Sequence, residues 1–364
     1  LLLNLLIAFS DQSLSDLNIQ ELCNNNHYVS SLVDKTCGLY AKKLSFDLKF
    51  LFTMIALAAI NMRFNDHRKT DHARLTCPLY NDNILVSFCN LFIEMNMTDK
   101  KKVTILTHGG AGSDPAHADG TAIAGQIGMM GLQTGEPILD AACNAVTILE
   151  DDNRFNAGVG SHRRDNGSVQ MDASCMNSSG AFGAVAALEG FRNPVQVARI
   201  VSQSEYRVLA GAGAAKFASN QECKTVALDE IVNTGRDFST TDTVGCVVRD
   251  GDKFAAALST GGINQAHSGR VGDVPLIGCG LYAGPEGAIA TTGDGEAIAM
   301  KMTAFRAYQL IEQGMDPKAI VPKVIDWFKE PTIAFGIIVV SKIGFEGGSN
   351  QSMAWTASEI EIPI

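Results

Sequence analysis

Positive charge is in short supply: 29 lysines and arginines stand against 39 aspartates and glutamates, a formal net charge of −10 over 364 residues. Nucleic-acid binding normally needs a basic face, and this balance argues against it. Long apolar runs are also missing. The longest, Phe50 to Ile60, is interrupted by Thr53 and flanked by Lys42, Lys43 and Lys49, far short of the roughly 20 residues that span a bilayer. It lies fifty residues into the chain with no small-residue cleavage site soon after, so it makes a poor secretory leader. Nine cysteines, at 23, 37, 77, 89, 143, 175, 223, 246 and 279, contain no C-x-x-C pair. Their odd number and irregular spacing read as reduced thiols in a cytoplasmic protein, and the sequons at Asn166 and Asn177 then carry no weight. His67 and His72 stand five apart, the wrong spacing for two ligands on one helical face, so that stretch reads as a solvated loop and no metal site is expected.

Glycine is nearly absent from the first 96 residues, where only Gly38 occurs, while the other 34 fall in the remaining 268. One fold rarely changes composition so abruptly. Residues 1–96 begin with Leu1 and hold 18 leucines and 11 asparagines in no convincing period; they read as an extension without chemistry. Met97-Thr98-Asp99-Lys100, followed by the strand-like Val103 to Leu106, looks like a natural protein start. Function is therefore sought in 97–364.

In that part, Val103 to Thr107 reads as a buried strand running into HGGAG (108–112), which taken alone fits an ordinary tight turn. Pro137 to Glu150 places apolar residues at helical spacing, with Pro137 suited to a first turn. The polar loop 149–161 closes on two glycines. Val169 to Ser174 and Gly180 to Leu188 read as strands, and Asn193-Pro194 opens a helix through Ser202. Residues 203–242 are polar or small and read as an exposed loop. That loop runs into Thr243 to Arg249, a strand, and Asp250-Gly251 turns it back as Lys253 to Ser259. A further strand lies near Ala288 to Thr291, a helix spans Glu296 to Gln313, a helical segment covers Pro317 to Lys329, and Ile333 to Ser341 reads as the last strand. Elements in blocks rather than strict alternation predict a layered α+β fold. A flexible loop feeding a threonine at the start of a buried strand is what a chain needs if that threonine is to become an N-terminus.

Eight short motifs stand in order: HGGAG (108–112), FNAGVGS (155–161), MDAS (171–174), RNPVQVAR (192–199), DTVG (242–245), STGG (259–262), GRVGDVPLIGCGLYA (269–283) and TGDGE (292–296). In this order and spacing the chain resembles the plant-type L-asparaginase/isoaspartyl peptidase family of N-terminal-nucleophile hydrolases. The resemblance covers roughly 103–356. It implies a four-layer αββα sandwich and autoproteolysis between Asp242 and Thr243, dividing 97–364 into 97–242 and 243–364. It further implies hydrolysis of L-asparagine and β-aspartyl dipeptides, and a dimer of cleaved αβ units. Three departures stand out: a short loop between Ala218 and Thr243, Val274 where a serine is commoner, and a glycine-rich turn reduced to Gly336.

The resemblance also assigns roles. Thr243 is the nucleophile, and its freed α-amine, with an ordinary pKa of about 7.7–8.0, serves as its base. Thr260 orients that nucleophile, Asn156 positions it from a loop, and Thr292 with Gly293 forms the oxyanion hole. Arg270 and Asp273 clamp the α-carboxylate and α-ammonium of the substrate. No cofactor is required, though loop 149–159 has the length of one that holds a sodium ion by backbone carbonyls in relatives. Glycosylasparaginase-like amidase action, or an uncleaved non-catalytic role, are the competing readings.

Overall fold

A computed structural model describes residues 100–231 and 243–363. The extension read at 1–96, its boundary at Met97, the loop segment 233–242 and Asp242 of the expected cleavage site lie outside the described residues.

Alternation with a period of two builds two sheets. The larger comprises β1 (Lys100–Ala111), β2 (Met171–Asn177), β3 (Phe182–Leu188), β4 (Val208–Ala210), β5 (Val244–Asp250), β6 (Lys253–Thr260) and β11 (Met353–Pro363), in the order β11-β1-β5-β6-β2-β3-β4. Only β3 and β4 pair in parallel. The smaller runs β10-β9-β8-β7, from β7 (Leu281–Gly284), β8 (Gly287–Gly293), β9 (Phe335–Ser341) and β10 (Phe345–Ser349).

Successive side chains of a strand point to opposite faces, and here both faces are buried. Val244, Cys246 and Val248 of β5 pack with Ala255 and Ala257 of β6 under four helices, α1 (Ala118–Gln133), α2 (Ile138–Glu150), α3 (Pro194–Ser202) and α4 (Gly211–Asn220). Val247, Ala256 and Leu258 face the other way, onto Ala288, Ala290, Ile338 and Val340 of the small sheet. The outer face of that sheet, Ile289, Ile337 and Val339, is covered by α5 (Gly295–Met300), α6 (Thr303–Glu312) and α7 (Pro317–Ile325). The order helix–sheet–sheet–helix is the expected αββα sandwich, stabilised by three contiguous apolar layers.

Several elements differ from expectation. Helix α1 carries Gly120, Gly125, Gly128 and Gly131, each costing about 1 kcal/mol in helix propensity, so its sequence conceals it. Packing forms it nonetheless, because Gly128 lets the helix lie against Ile105 of β1. Residues 203–242 are not all loop: β4 extends the sheet beside β3, and α4 follows it. The long helix expected at Glu296 to Gln313 is two helices, broken where Met302 adopts a left-handed φ of 49°. Strand β9 is not the last: β10, with Gly347 and Gly348, and β11 follow it. Strand β10 shows no strong local period; β11 alternates at Glu359-Ile360-Glu361-Ile362 and is fixed by its long antiparallel register along β1.

Candidate active site

The same alternation that fills the core also gathers the polar residues. Thr243 and Thr260 lie an even number of positions from Val247 and Leu258, Thr292 two from Ala290, and His108 two from Leu106. All four therefore face the gap between the sheets, at strand ends. Val244 pairs with Ser259, so the register places Thr243 opposite Thr260, which in turn pairs with Asp172 of β2. Each of these threonines is at most 5% exposed.

Hydrogen bonds fix the groups around this point. Gly262 N–H donates to Thr260 Oγ1 at 3.1 Å. Asn156 Nδ2 donates to the Gly262 carbonyl at 2.6 Å, and the Asn156 carbonyl accepts from Gly261 N–H at 2.9 Å. The loop residue is thereby stitched to the turn after β6, while its buried Oδ1 has no hydrogen-bond partner among the described residues. Thr292 Oγ1 accepts from Ala111 N–H at 3.1 Å, so the end of HGGAG occupies one lone pair and leaves the hydroxyl proton to be donated. Gly293 follows at φ 131°.

Arg270 and Asp273 meet across Gly295. A Cβ there would lie 2.9 Å from Arg270 Nη2 and 3.0 Å from Asp273 Oδ1, so only glycine leaves the two charged groups room to face one space. Asp273 is buried, and burial pushes its carboxyl up to about 7, with Arg270 opposing the rise. Thr291, next to Thr292, stands 3.5 Å from Asp273 Oδ2. The clamp and the candidate oxyanion strand are thus joined. Of the residues singled out from the sequence, Thr243 and Thr260 are set side by side by register, Asn156 is bonded to the turn after Thr260, and Asp273 lies between Arg270 and the strand of Thr292.

Four further groups escaped that reading. His108 is wholly buried beside Thr243, and burial drives its pKa down to about 3, partly offset by a backbone contact from Thr243. So weak a base cannot take a hydroxyl proton near neutrality. Arg164 is fully buried: Nη2 donates to the Gln170 carbonyl at 2.9 Å, while Nε and Nη1 have no hydrogen-bond partner among the described residues. Its charge faces Asp172, whose Oδ1 accepts from Ala187 N–H at 2.7 Å and whose pKa is raised by burial. Arg164 sits in an Arg-Arg-Asp run that reads locally as solvated loop, so no sequence signal marked it; Asp172 lay inside a quoted motif without a role. Glu296 binds Arg270 through both carboxylate oxygens. The buried Glu150 carboxyl, pushed up to about 8 by burial and held back by the Ser259 side chain, accepts from Val195 N–H on the helix side of the sheet.

Among the described residues no group of three or more His, Cys, Asp or Glu side chains could hold a metal ion, and no helix is long and apolar enough to cross a membrane.

A family model described as asparaginase matches residues 101–238 and 230–360. The isoaspartyl peptidase/L-asparaginase of Danio rerio is 35% identical over 285 residues, covering 70% of this chain and 92% of that protein. Its counterpart in Homo sapiens is 34% identical over 286 residues, with the same coverage. The plant-type L-asparaginase of Pyrococcus horikoshii is 32% identical over 283 residues, 67% of this chain and 92% of its own length.

Proposed function

The chain belongs to the asparaginase family, and from that premise we propose that it hydrolyses the side-chain amide of L-asparagine and of β-aspartyl dipeptides. The observation that carries this reading is the convergence of Thr243, Thr260, Asn156 and Thr292 on one buried point, beside a guanidinium and a carboxylate that face each other. An α-amino acid carries one negative and one positive group on a single carbon, and Arg270 with Asp273 complements both.

Activation comes first in this reading. While Thr243 is mid-chain its nitrogen is an amide with no usable lone pair. The Thr243 hydroxyl attacks the Asp242 carbonyl, the C–N bond breaks as the nitrogen takes the hydroxyl proton, and water hydrolyses the resulting ester. The α-amine so freed has an ordinary pKa near 8 and takes the Thr243 hydroxyl proton, a task for which His108 is too weak. The hydroxyl then attacks the substrate amide. Thr292 and the Gly293 N–H stabilise the oxyanion, ammonia or the amine of the second residue leaves, and water releases aspartate from the Thr243 ester. Purified protein should release ammonia from L-asparagine, and its mass spectrum should show a fragment starting at Thr243. Amidase activity from a chain that remains uncleaved would overturn this reading.

The state of Asp273 gives the activity a pH limb with a definite sign. Its folded pKa is raised, so below about 7 it is largely neutral and must ionise to hold the substrate ammonium. Each pH unit below that point costs about 1.4 kcal/mol in binding. Protonation of the freed amine alone lowers kcat/KM about tenfold per unit below about pH 8. With Asp273 added we expect a fall of about a hundredfold per unit below pH 7, and Asp273→Asn to return the slope to about tenfold per unit along with loss of most activity. A wild-type slope of only about tenfold per unit from pH 5 to 7 would refute the assignment.

Supporting features extend the proposal. Loop 149–159 folds back so that Gly158, at φ 51°, places its Cα against the Glu150 carbonyl, where a Cβ would come within 2.3 Å of the oxygen. A sodium ion held by backbone carbonyls of this loop would steady the segment that carries Asn156; exchanging sodium for choline should then lower the melting temperature. Helix α1 exposes Ile123, Ile127 and Met130 on one side, consistent with assembly of cleaved units into a dimer, which light scattering would measure. Five cysteines among the described residues are free thiols, in keeping with a reducing, cytoplasmic setting.

A further inference from the structure

Glu296 has no place in the roles above, yet it makes the closest contacts in the clamp. Oε1 accepts from Arg270 Nε at 2.8 Å and Oε2 from Nη2 at 2.5 Å. A guanidinium offers five N–H donors in a rigid fork, and this carboxylate takes two of them along the side-on edge. The end-on edge, formed by Nη1 and the second hydrogen of Nη2, makes no other hydrogen bond among the described residues. Nη2 is also the nitrogen that faces Asp273 across Gly295.

Both charged groups of an α-amino acid sit on one carbon, so a cationic edge must be presented directly beside Asp273. An unattached arginine side chain would turn away from that orientation in most of its rotamers. Glu296 is well placed to prevent this, because its backbone is fixed in the first turn of α5, where Asp294 Oδ1 caps the helix by accepting from Ala297 N–H at 2.8 Å. Its bond from Arg270 also holds the Glu296 carboxyl below its ordinary pKa, so the carboxylate is charged throughout the neutral range.

Resting on the reading of Arg270 and Asp273 as the substrate clamp, we infer that Glu296 is a positioning residue for the substrate α-carboxylate, holding Arg270 by one edge so that its end-on edge is presented beside Asp273. A purely stabilising role is a poor alternative. The Glu296 side chain is 60% exposed, and ion pairs with a member so exposed add little to folding. Its effect belongs in substrate recognition.

The test uses the full-length enzyme and its Glu296→Gln and Glu296→Ala variants, titrated calorimetrically with L-aspartate and with β-alanine, which is aspartate without its α-carboxylate. Loss of Glu296 should weaken aspartate binding roughly two- to twelve-fold, the value of pre-ordering one long side chain, and leave β-alanine binding unchanged. KM for L-asparagine should rise by the same factor while kcat stays within about twofold, as expected when ground-state and transition-state binding are lost together. Tighter aspartate binding in the variants would mean that Glu296 competes for the fork, and equal weakening toward both ligands would mean general disruption; either overturns the inference. The titrations need no turnover, so an enzyme that binds aspartate but hydrolyses no amide defeats the functional proposal and leaves this one standing on its own result.

Discussion

Thr243→Ala yields a single intact chain whose amidase rate is lower by a factor on the order of 10⁶, the scale of removing a catalytic nucleophile. Two losses coincide in this variant. Without the hydroxyl there is no attack on the Asp242 carbonyl, so the chain stays closed; without cleavage the nitrogen of residue 243 remains an amide and cannot act as a base. The variant should nevertheless fold. Residue 243 precedes β5, and the strand's core contacts come from Val244, Cys246, Val247 and Val248, none of which changes. Thr243→Ser keeps a hydroxyl and should cleave, more slowly. Mass spectrometry of the purified variant, beside an ammonia-release assay, reads both outcomes. Cleavage that persists in Thr243→Ala would sink the assignment, because the peptide bond would then be broken by some other group.

The second large effect is on stability. Arg164→Met should destabilise the protein by roughly 1–3 kcal/mol, because the buried Gln170 carbonyl loses its donor and Asp172 loses a favourable charge. The melting temperature should drop by about 2–12 °C in a domain of this size. Arg164 and Asp172 are both fully buried, and Asp172 Oδ2 has no hydrogen-bond partner among the described residues. Once the guanidinium is gone, the carboxylate is left with only Arg270 as a favourable charge among its described interactions. The sign of the pH dependence follows. Burial already raises the Asp172 pKa, so the folded state holds its proton at pH values where the unfolded chain has released it. Stability is then greatest at low pH and falls as pH rises through the folded pKa. Removing Arg164 steepens that fall, and Arg164→Met combined with Asp172→Asn should recover much of the loss. Urea unfolding at pH 5 and pH 7 separates these cases; a single-variant loss below about 1 kcal/mol would show that the pair is not a significant buried-charge interaction.

Wherever a local rule sufficed, the reading of single segments held. The hairpin signalled by Asp250-Gly251 forms between β5 and β6, but its two-residue turn lies one position later, at Gly251-Asp252: Asp250 pairs with Lys253 and Gly251 takes φ 61°. Pro137 and Pro194 stand at the starts of α2 and α3, where a fixed φ and a missing N–H cost nothing. Rules of this kind failed where distant contacts decide. Four glycines disguise α1, and only the face of β1 makes it a helix. Strand β10 has little local pattern, and β11, though it alternates at Glu359-Ile360-Glu361-Ile362, is placed by pairing with a strand some 250 positions earlier. At Met302 the left-handed turn that splits α5 from α6 has no glycine to announce it.

The candidate site divides along the same line. Eight motifs in a fixed order were enough to name a family and to mark Thr243, Thr260, Asn156, Thr292, Arg270 and Asp273, because a residue's type and its position along the chain are properties of the sequence alone. Their convergence is a tertiary fact: alternation aims the threonines at the inter-sheet gap, but only the packing of two sheets makes that gap one place. Burial is likewise tertiary. It brings His108 down to about 3 and Asp273 up to about 7, shifts that no composition contains because desolvation depends on what surrounds a group in space. Arg164 and Glu296 belong to this second class too. One looks like a loop cation and the other like a helix-surface acid until the fold sets the first against Asp172 and the second against Arg270.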